Sequence, residues 1–212
     1  MLLAVPCFAV RPADWWNSGD RSKLESKNMT NAAPNQDNHD AGRADAAPVV
    51  VPVDDLDAFK RVFRRHAAGV AAVTALDASG RPVGFTATSL ASLAAVPPLA
   101  TFNMAQVASA WPAMTVGNHV AIHTLGPRTR HLAEKLAADN AVRFDGNHWK
   151  PGLYGVPILE GVTSWMLGRI IEVHPVFNNA VVVVQIETGA LGPEDEALLY
   201  HERAYRSPGP EV

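Results

Sequence analysis

The chain has 212 residues and a single cysteine, Cys7. No disulfide within the chain is available, a pattern that suits a reducing compartment, and the protein is read as cytoplasmic. A basic excess is also lacking, since the formal net charge is −3 and the pI is near 6.2. A general nucleic-acid binder carries a basic patch or stripe, so that class is excluded. A local anion pocket is still compatible with this charge. No long hydrophobic run occurs near the start. Met1–Val10 is interrupted by Pro6 and is too short to span a bilayer. It lacks the basic n-region of an export signal, and Met29 offers an alternative start. A Walker loop, zinc-ligand spacing and a nucleophile elbow are missing as well. His119 and His123 share one face of an expected strand, but no third ligand accompanies them, so no metal is expected.

Apolar residues are themselves unevenly spread. Between Asn17 and Ala47 there is no Val, Ile, Phe, Tyr or Trp. Such a stretch cannot bury enough surface to offset its ordering entropy. Residues 1–50 are therefore read as a disordered tail, with Trp15-Trp16 a stray apolar spot. Residues 51–212 are read as one domain, a size that folds on its own core.

The pattern within that domain is mainly β. Asp54 and Asp55 cap a helix with Leu56, Phe59 and Phe63 at helical spacing, ended by Gly69. Strands are expected over Val70–Leu76, Pro82–Leu93 and Leu99–Met104, with a turn at Asp77–Gly80. A short helix follows from Trp111 to Gly117, then a strand over His119–Leu125 and a helix over Thr129–Ala138. Gly161–His174 and Ala180–Thr188 form a long hairpin around Asn178-Asn179, and Leu198–Tyr200 adds a last short strand. No strand–helix–strand rhythm repeats, so a closed antiparallel barrel with a few peripheral helices is expected rather than a parallel sheet.

One segment carries the chemistry. From Thr86 to Ala95 almost every side chain is small, where a plain core strand would carry Val, Ile, Leu and aromatics. Small residues let a flat object lie against the backbone. Thr86, Thr88 and Ser89 add hydroxyls, and the main chain adds N–H donors. A flavin needs both a flat slot and donors where charge grows on reduction. An edge strand facing solvent is the plain alternative.

Four segments, in order, resemble the flavin reductase-like family of FMN-binding split barrels. They are Phe63–Val70 with Val73-Thr74; Gly84–Ser89 with Ser92 and Pro97-Pro98; Phe102-Asn103 with Ser109–Pro112; and Val142–Phe144 with Gly155–Gly161. The likeness runs from about Asp54 to Tyr205. It implies an antiparallel split β-barrel, FMN or FAD as cofactor, NAD(P)H as co-substrate, a homodimer, and reduced flavin supplied to a partner monooxygenase. It further implies that Thr86, Ala87, Thr88 and Ser89 face the isoalloxazine ring, with Ser92 in the same segment. Asn103, Ser109 and Trp111 would lie near the ribityl chain and phosphate, beside a helix N-terminus at Pro112.

One departure stands out. Where reductases of this family often carry Gly-Asp-His in the last long hairpin, this chain has Phe177-Asn178-Asn179. Asn179 can hydrogen-bond a nicotinamide amide but cannot carry charge, and Phe177 can shield the flavin face. Two functions follow: a flavin reductase, or a flavin-binding carrier or sensor without turnover. The loop Pro151–Gly155 is a further candidate cover for the flavin.

Overall fold

A computed structural model describes residues 56–211. The expected tail at 1–50, Cys7, Trp15-Trp16 and the caps Asp54 and Asp55 lie outside the described residues.

The described chain is built on antiparallel strands, as its alternating apolar pattern requires. A seven-stranded sheet contains β2 (Ala71–Leu76), β3 (Pro82–Ala87), β4 (Ala91–Ala94), β5 (Leu99–Ala105), β6 (His119–Thr124), β9 (Ser164–Val176) and β10 (Asn179–Leu191). Their spatial order is β3-β2-β6-β9-β10-β5-β4. The two edge strands, β3 and β4, are consecutive in sequence and joined only by Thr88–Leu90. The sheet therefore curls until β3 comes up against β5, leaving a barrel that is split along that seam.

Period-two alternation sends one face of each strand inward. Val73, Val83, Ala87, Phe102, Met104, Val120, Ile122, Ile170, Val182 and Val184 meet in the barrel interior and are buried. Full burial of side chains this size stabilises by about 1.5–3 kcal/mol each. A second apolar cluster lies outside the barrel. There α2 (Arg130–Ala137) sets Leu132, Ala133 and Leu136 against Val70 and Ala72.

Two smaller sheets complete the fold. β1 (Ala68–Gly69), β11 (Leu199–His201) and β12 (Ala204–Arg206) form one, and β7 (Trp149–Pro151) with β8 (Pro157–Leu159) forms the other. The β7–β8 hairpin docks on the outer face of β2 and β6. The Thr74 hydroxyl donates to the Pro157 carbonyl at 2.6 Å, and the Leu159 N–H donates to His123 Nε2 at 3.1 Å. The hairpin tip stacks Tyr154 on His119 at 3.8 Å. This is where the Pro151–Gly155 loop is held.

Several boundaries differ from the sequence reading. The first helix, α1, covers Leu56–Arg65 and stops before Gly69, because Ala68 and Gly69 pair with Tyr200 and Leu199. The single strand expected over Pro82–Leu93 is two strands that pair with different neighbours, β3 with β2 and β4 with β5. The helix expected from Trp111 to Gly117 is one 3-10 turn, Trp111–Ala113. The long hairpin turns on Phe177-Asn178, because Asn179 already pairs with Val176. His119 and His123 do lie on one strand face, but His123 is fully buried. Among the described residues no group of three metal-ligating side chains exists.

Candidate functional site

The seam between β3 and β5 is bordered at one end by a guanidinium. Arg143, in the segment after α2, donates to the Gly84 carbonyl at 2.8 Å, to the Ser109 hydroxyl at 3.1 Å and to the Ala138 carbonyl at 2.9 Å. Ser109 in turn donates to Asn140 Oδ1 at 3.3 Å. Partial burial pushes the Arg143 guanidinium below its ordinary pKa, with Asp139 opposing the shift. The neighbouring His148, whose Nε2 meets the Arg143 carbonyl at 3.0 Å, is also pushed down, by burial first and by the Lys135 charge next. A cleft of about 330 Å³ opens beside Ser109, lined also by Ser79, Arg81, Pro112 and Asn140.

Gly84 is required here by packing. A Cβ on it would lie 2.8 Å from the Val73 carbonyl oxygen and 3.0 Å from the Phe144 ring. Phe144 is fixed from its other side by an edge-on contact with Trp149 at 5.7 Å. The Arg143-Phe144 pair thus clamps β3 at Gly84.

The Gly84 carbonyl faces Arg143 rather than closing a ladder bond alone. In a strand the main-chain groups of alternate residues share an edge. Thr86 therefore presents its N–H and C=O groups on the same edge as Gly84, the one that β2 does not pair, and Thr88 follows just past the end of β3. From Gly84 to Thr86 that edge runs about 7 Å at ~3.3 Å per residue.

The far end is bordered by Ser89 and Asn103. The Ser89 hydroxyl accepts from the Asn103 N–H at 2.9 Å and donates to the Asn103 carbonyl at 3.2 Å. Asn103 lies opposite Val181 on β10, two residues from Asn179. The side chains of Asn103 and Asn179 share the outer face of this sheet and both are exposed. Phe177 projects at the hairpin tip, 97% exposed with φ 49°.

The remaining candidates are placed as follows. The Thr86 side chain turns onto α2, its hydroxyl donating to the Ala133 carbonyl at 2.7 Å. Ala87 points into the barrel core. What Thr86 offers at the seam is main chain, whereas the main-chain groups of Ala87 turn toward β2. Thr88 is exposed. Ser92 is exposed on β4 opposite Ala100, whose side chain lies in the barrel core, so Ser92 is on the sheet face opposite to that of Asn103. Trp111 is half-buried against the barrel-core cluster, which Phe85 and Ala108 also border. The expected helix N-terminus at Pro112 is a single three-residue turn without a side-chain cap. It has too few aligned peptides to act as a helix dipole, so the cations of this region are Arg143 and Arg81, the latter paired with Asp77 at 3.0 Å.

Reading the chain alone does not mark Arg143 as a site residue: it falls in the Val142–Phe144 segment, and its role depends on reaching across to β3.

This chain matches the flavin reductase like domain family over residues 63–209. The chain belongs to that family. An NADH:FMN oxidoreductase from Rhodococcus qingshengii is 38% identical over 157 residues, covering 72% of this chain and 81% of the relative. The crystal structure of a flavin reductase domain protein from Arthrobacter sp. FB24 superposes with a TM-score of 0.70 at 47% identity, over 74% of this chain and 97% of that one. Nitrilotriacetate monooxygenase component B from Mycobacterium thermoresistibile superposes with a TM-score of 0.67 at 26% identity, over 73% of this chain and 87% of that one. The split barrel and the family that the sequence implied are both borne out.

Proposed function

We propose that this flavin reductase family member is an NAD(P)H:flavin oxidoreductase that reduces FMN or FAD and supplies the reduced flavin to a partner monooxygenase. The observation that carries the reading is the unpaired main-chain edge of β3, bounded by Arg143 and Ser109 at one end and by Ser89 and Asn103 at the other. That donor set fits a flavin: a cation and a hydroxyl for the phosphate, and a flat amide edge for the ring.

Bound flavin supplies the hydride acceptor, and the protein supplies alignment and electrostatics. Arg143 and Ser109 hold the phosphate, with Asn103 and the exposed part of Trp111 along the ribityl chain. The N–H groups of Thr86 and Thr88 face the polar rim of the ring, where fixed dipoles stabilise negative charge without reorganising. Ser89 and Ser92 border the ring. Asn179 orients the nicotinamide through its carboxamide, and Phe177 covers the open side. Holding the two rings in contact converts an encounter into a unimolecular step. No side-chain acid or base is needed for a hydride transfer.

A homodimer is the assembly that fits α1, where Leu56, Phe59, Val62 and Phe63 are each more than half exposed. A second copy would remove that apolar face from water. Among the described residues no helix is long and apolar enough to cross a membrane, and a cytoplasmic location is part of this proposal.

The test is anaerobic mixing of FMN-loaded protein with NADH and, separately, NADPH. Loss of the oxidised-flavin absorbance with either confirms the reductase. Flavin binding without bleaching by either would leave a carrier or sensor, the alternative that Asn179 in place of His raises.

A further inference from the structure

We infer that Gln106 is the positioning residue for the nicotinamide end of the site, acting by fixing the Phe177–Asn179 turn. The inference rests on reading Asn179 and Phe177 as the nicotinamide-facing residues.

The turn is closed by the Val176–Asn179 pair, and its own side chains add little. The Phe177 ring is almost wholly in solvent and contributes no packing. Its backbone is left-handed, at φ 49°, a region costly for a residue with a Cβ and kept only where the surroundings enforce it. Neighbouring Val176 and Asn178 are exposed as well.

Gln106 provides the enforcement. It directly follows Ala105, the residue of β5 that pairs with Asn179. Its main-chain N–H donates to the Asn178 carbonyl at 2.9 Å. Its side-chain amide nitrogen donates to the Phe177 carbonyl at 3.1 Å and to the Asn179 carbonyl at 2.8 Å. One residue therefore engages all three carbonyls of the turn. Two of these bonds use the side-chain NH₂, which has two donors to give and spends one on each carbonyl. An amide of this length is the side chain that can do so. The orientation of the Asn179 carboxamide on the outer face is thereby coupled to Gln106, which lies beside the turn rather than against the substrate.

The experiment compares wild type with Gln106→Met, Gln106→Glu and Asn179→Ala. NADH kinetics, FMN affinity by fluorescence quenching, and thermal midpoint are measured for each. Met keeps the length and removes both donors. Glu keeps length and polarity but, ionised, sets acceptors against acceptors. It serves as the second variant should the Met protein fail to fold. In both Gln106 variants KM for NADH should rise about tenfold, the size expected for two lost neutral hydrogen bonds. The value of kcat should stay within about twofold, because ground-state and transition-state binding suffer alike. FMN affinity should be unchanged, which a merely structural role in β5 would not predict.

Asn179→Ala should raise KM for NADH in the same way. If Asn179→Ala raises it and neither Gln106 variant does, the positioning role is overturned while the nicotinamide reading stands. If Asn179→Ala leaves it unmoved, the reading of the turn fails and the inference falls with it. Equal losses of FMN affinity and thermal midpoint in the Gln106 variants would also overturn the positioning role.

Discussion

The Ser89 hydroxyl straddles the main chain of Asn103, accepting from its N–H and donating to its carbonyl. Ala91 pairs with Thr101 and Ser92 with Ala100, so Ser89 meets Asn103 where the same ladder would continue. Its side chain thus replaces a strand bond at the point where the chain crosses the seam. Ser89→Ala should loosen the Thr88–Leu90 link and leave the Asn103 amide to water. A stability loss of about 1 kcal/mol is expected for a half-exposed pair of bonds, measured by urea unfolding. FMN affinity should fall several-fold in a fluorescence titration, because Thr88 and Asn103 both lose their fixed separation.

Arg143 makes a sharper case. Its guanidinium spans acceptors on three segments, at Gly84, Ser109 and Ala138. Arg143→Lys keeps the charge but is a point donor that cannot bridge such a set. It should weaken FMN binding by about tenfold or more, a loss of ~1.4 kcal/mol or more. Riboflavin, which lacks the phosphate, should bind the variant and the wild type nearly alike. Equal losses for both ligands would remove Arg143 from the phosphate site.

The strand pattern and the small-residue run were legible because they are local. Periodicity gave β2, β5, β6 and the long hairpin within a few residues. What sequence could not show is pairing beyond a hairpin. The segment from Pro82 to Leu93 reads as one extended run, and only the partners of Phe85 and Ser92 reveal that a barrel seam divides it. Likewise a hydroxyl at Thr86 or Ser109 announces a donor but not its acceptor. Thr86 spends its donor on α2, and Ser109 receives Arg143 from far along the chain. Short strands such as β7, β8 and β12 carry too few residues for a period to register.

His123 sets a pH dependence of stability. Its ring is fully buried, Nδ1 meeting the Ala72 carbonyl at 3.2 Å and Nε2 accepting from Leu159. Both ring nitrogens are used by the neutral form, and burial pushes the pKa down from 6.5 to about 4. The folded state therefore binds this proton less readily than the unfolded state does. Stability from this group is complete above about pH 6.5 and is lost as pH falls toward about 4, levelling off below. The loss should approach about 3 kcal/mol, read from urea midpoints across that window. Asp77, held far below the usual range chiefly by the Ser79 hydroxyl, titrates at lower pH, whereas His148, also pushed down by burial, contributes with the same sign, so the His123 share is read in a His148→Gln background. A flat profile between pH 6.5 and 4 would contradict the assignment.

Thr86 and Thr88 provide the test that separates side chain from main chain at the seam. Thr86 presents its main-chain groups on the open edge of β3, and Thr88 opens the Thr88–Leu90 link just past the end of that strand. Their side chains have different surroundings. Thr86 donates to the Ala133 carbonyl of α2 in a half-buried setting, whereas Thr88 is exposed. Thr86→Val keeps the shape and removes that hydroxyl, while the Ala133 carbonyl keeps its bond within α2. It should cost about 0.5–1.5 kcal/mol of stability and leave FMN affinity unchanged, since the N–H that faces the ring is retained. Thr88→Val should do the opposite, with little effect on unfolding and a several-fold loss of FMN affinity from the missing hydroxyl. Thr88→Pro removes the main-chain N–H itself, and binding should fall further than in Thr88→Val. If Thr86→Val weakens FMN binding as much as Thr88→Pro, the ring is recognised by hydroxyls and not by the strand edge.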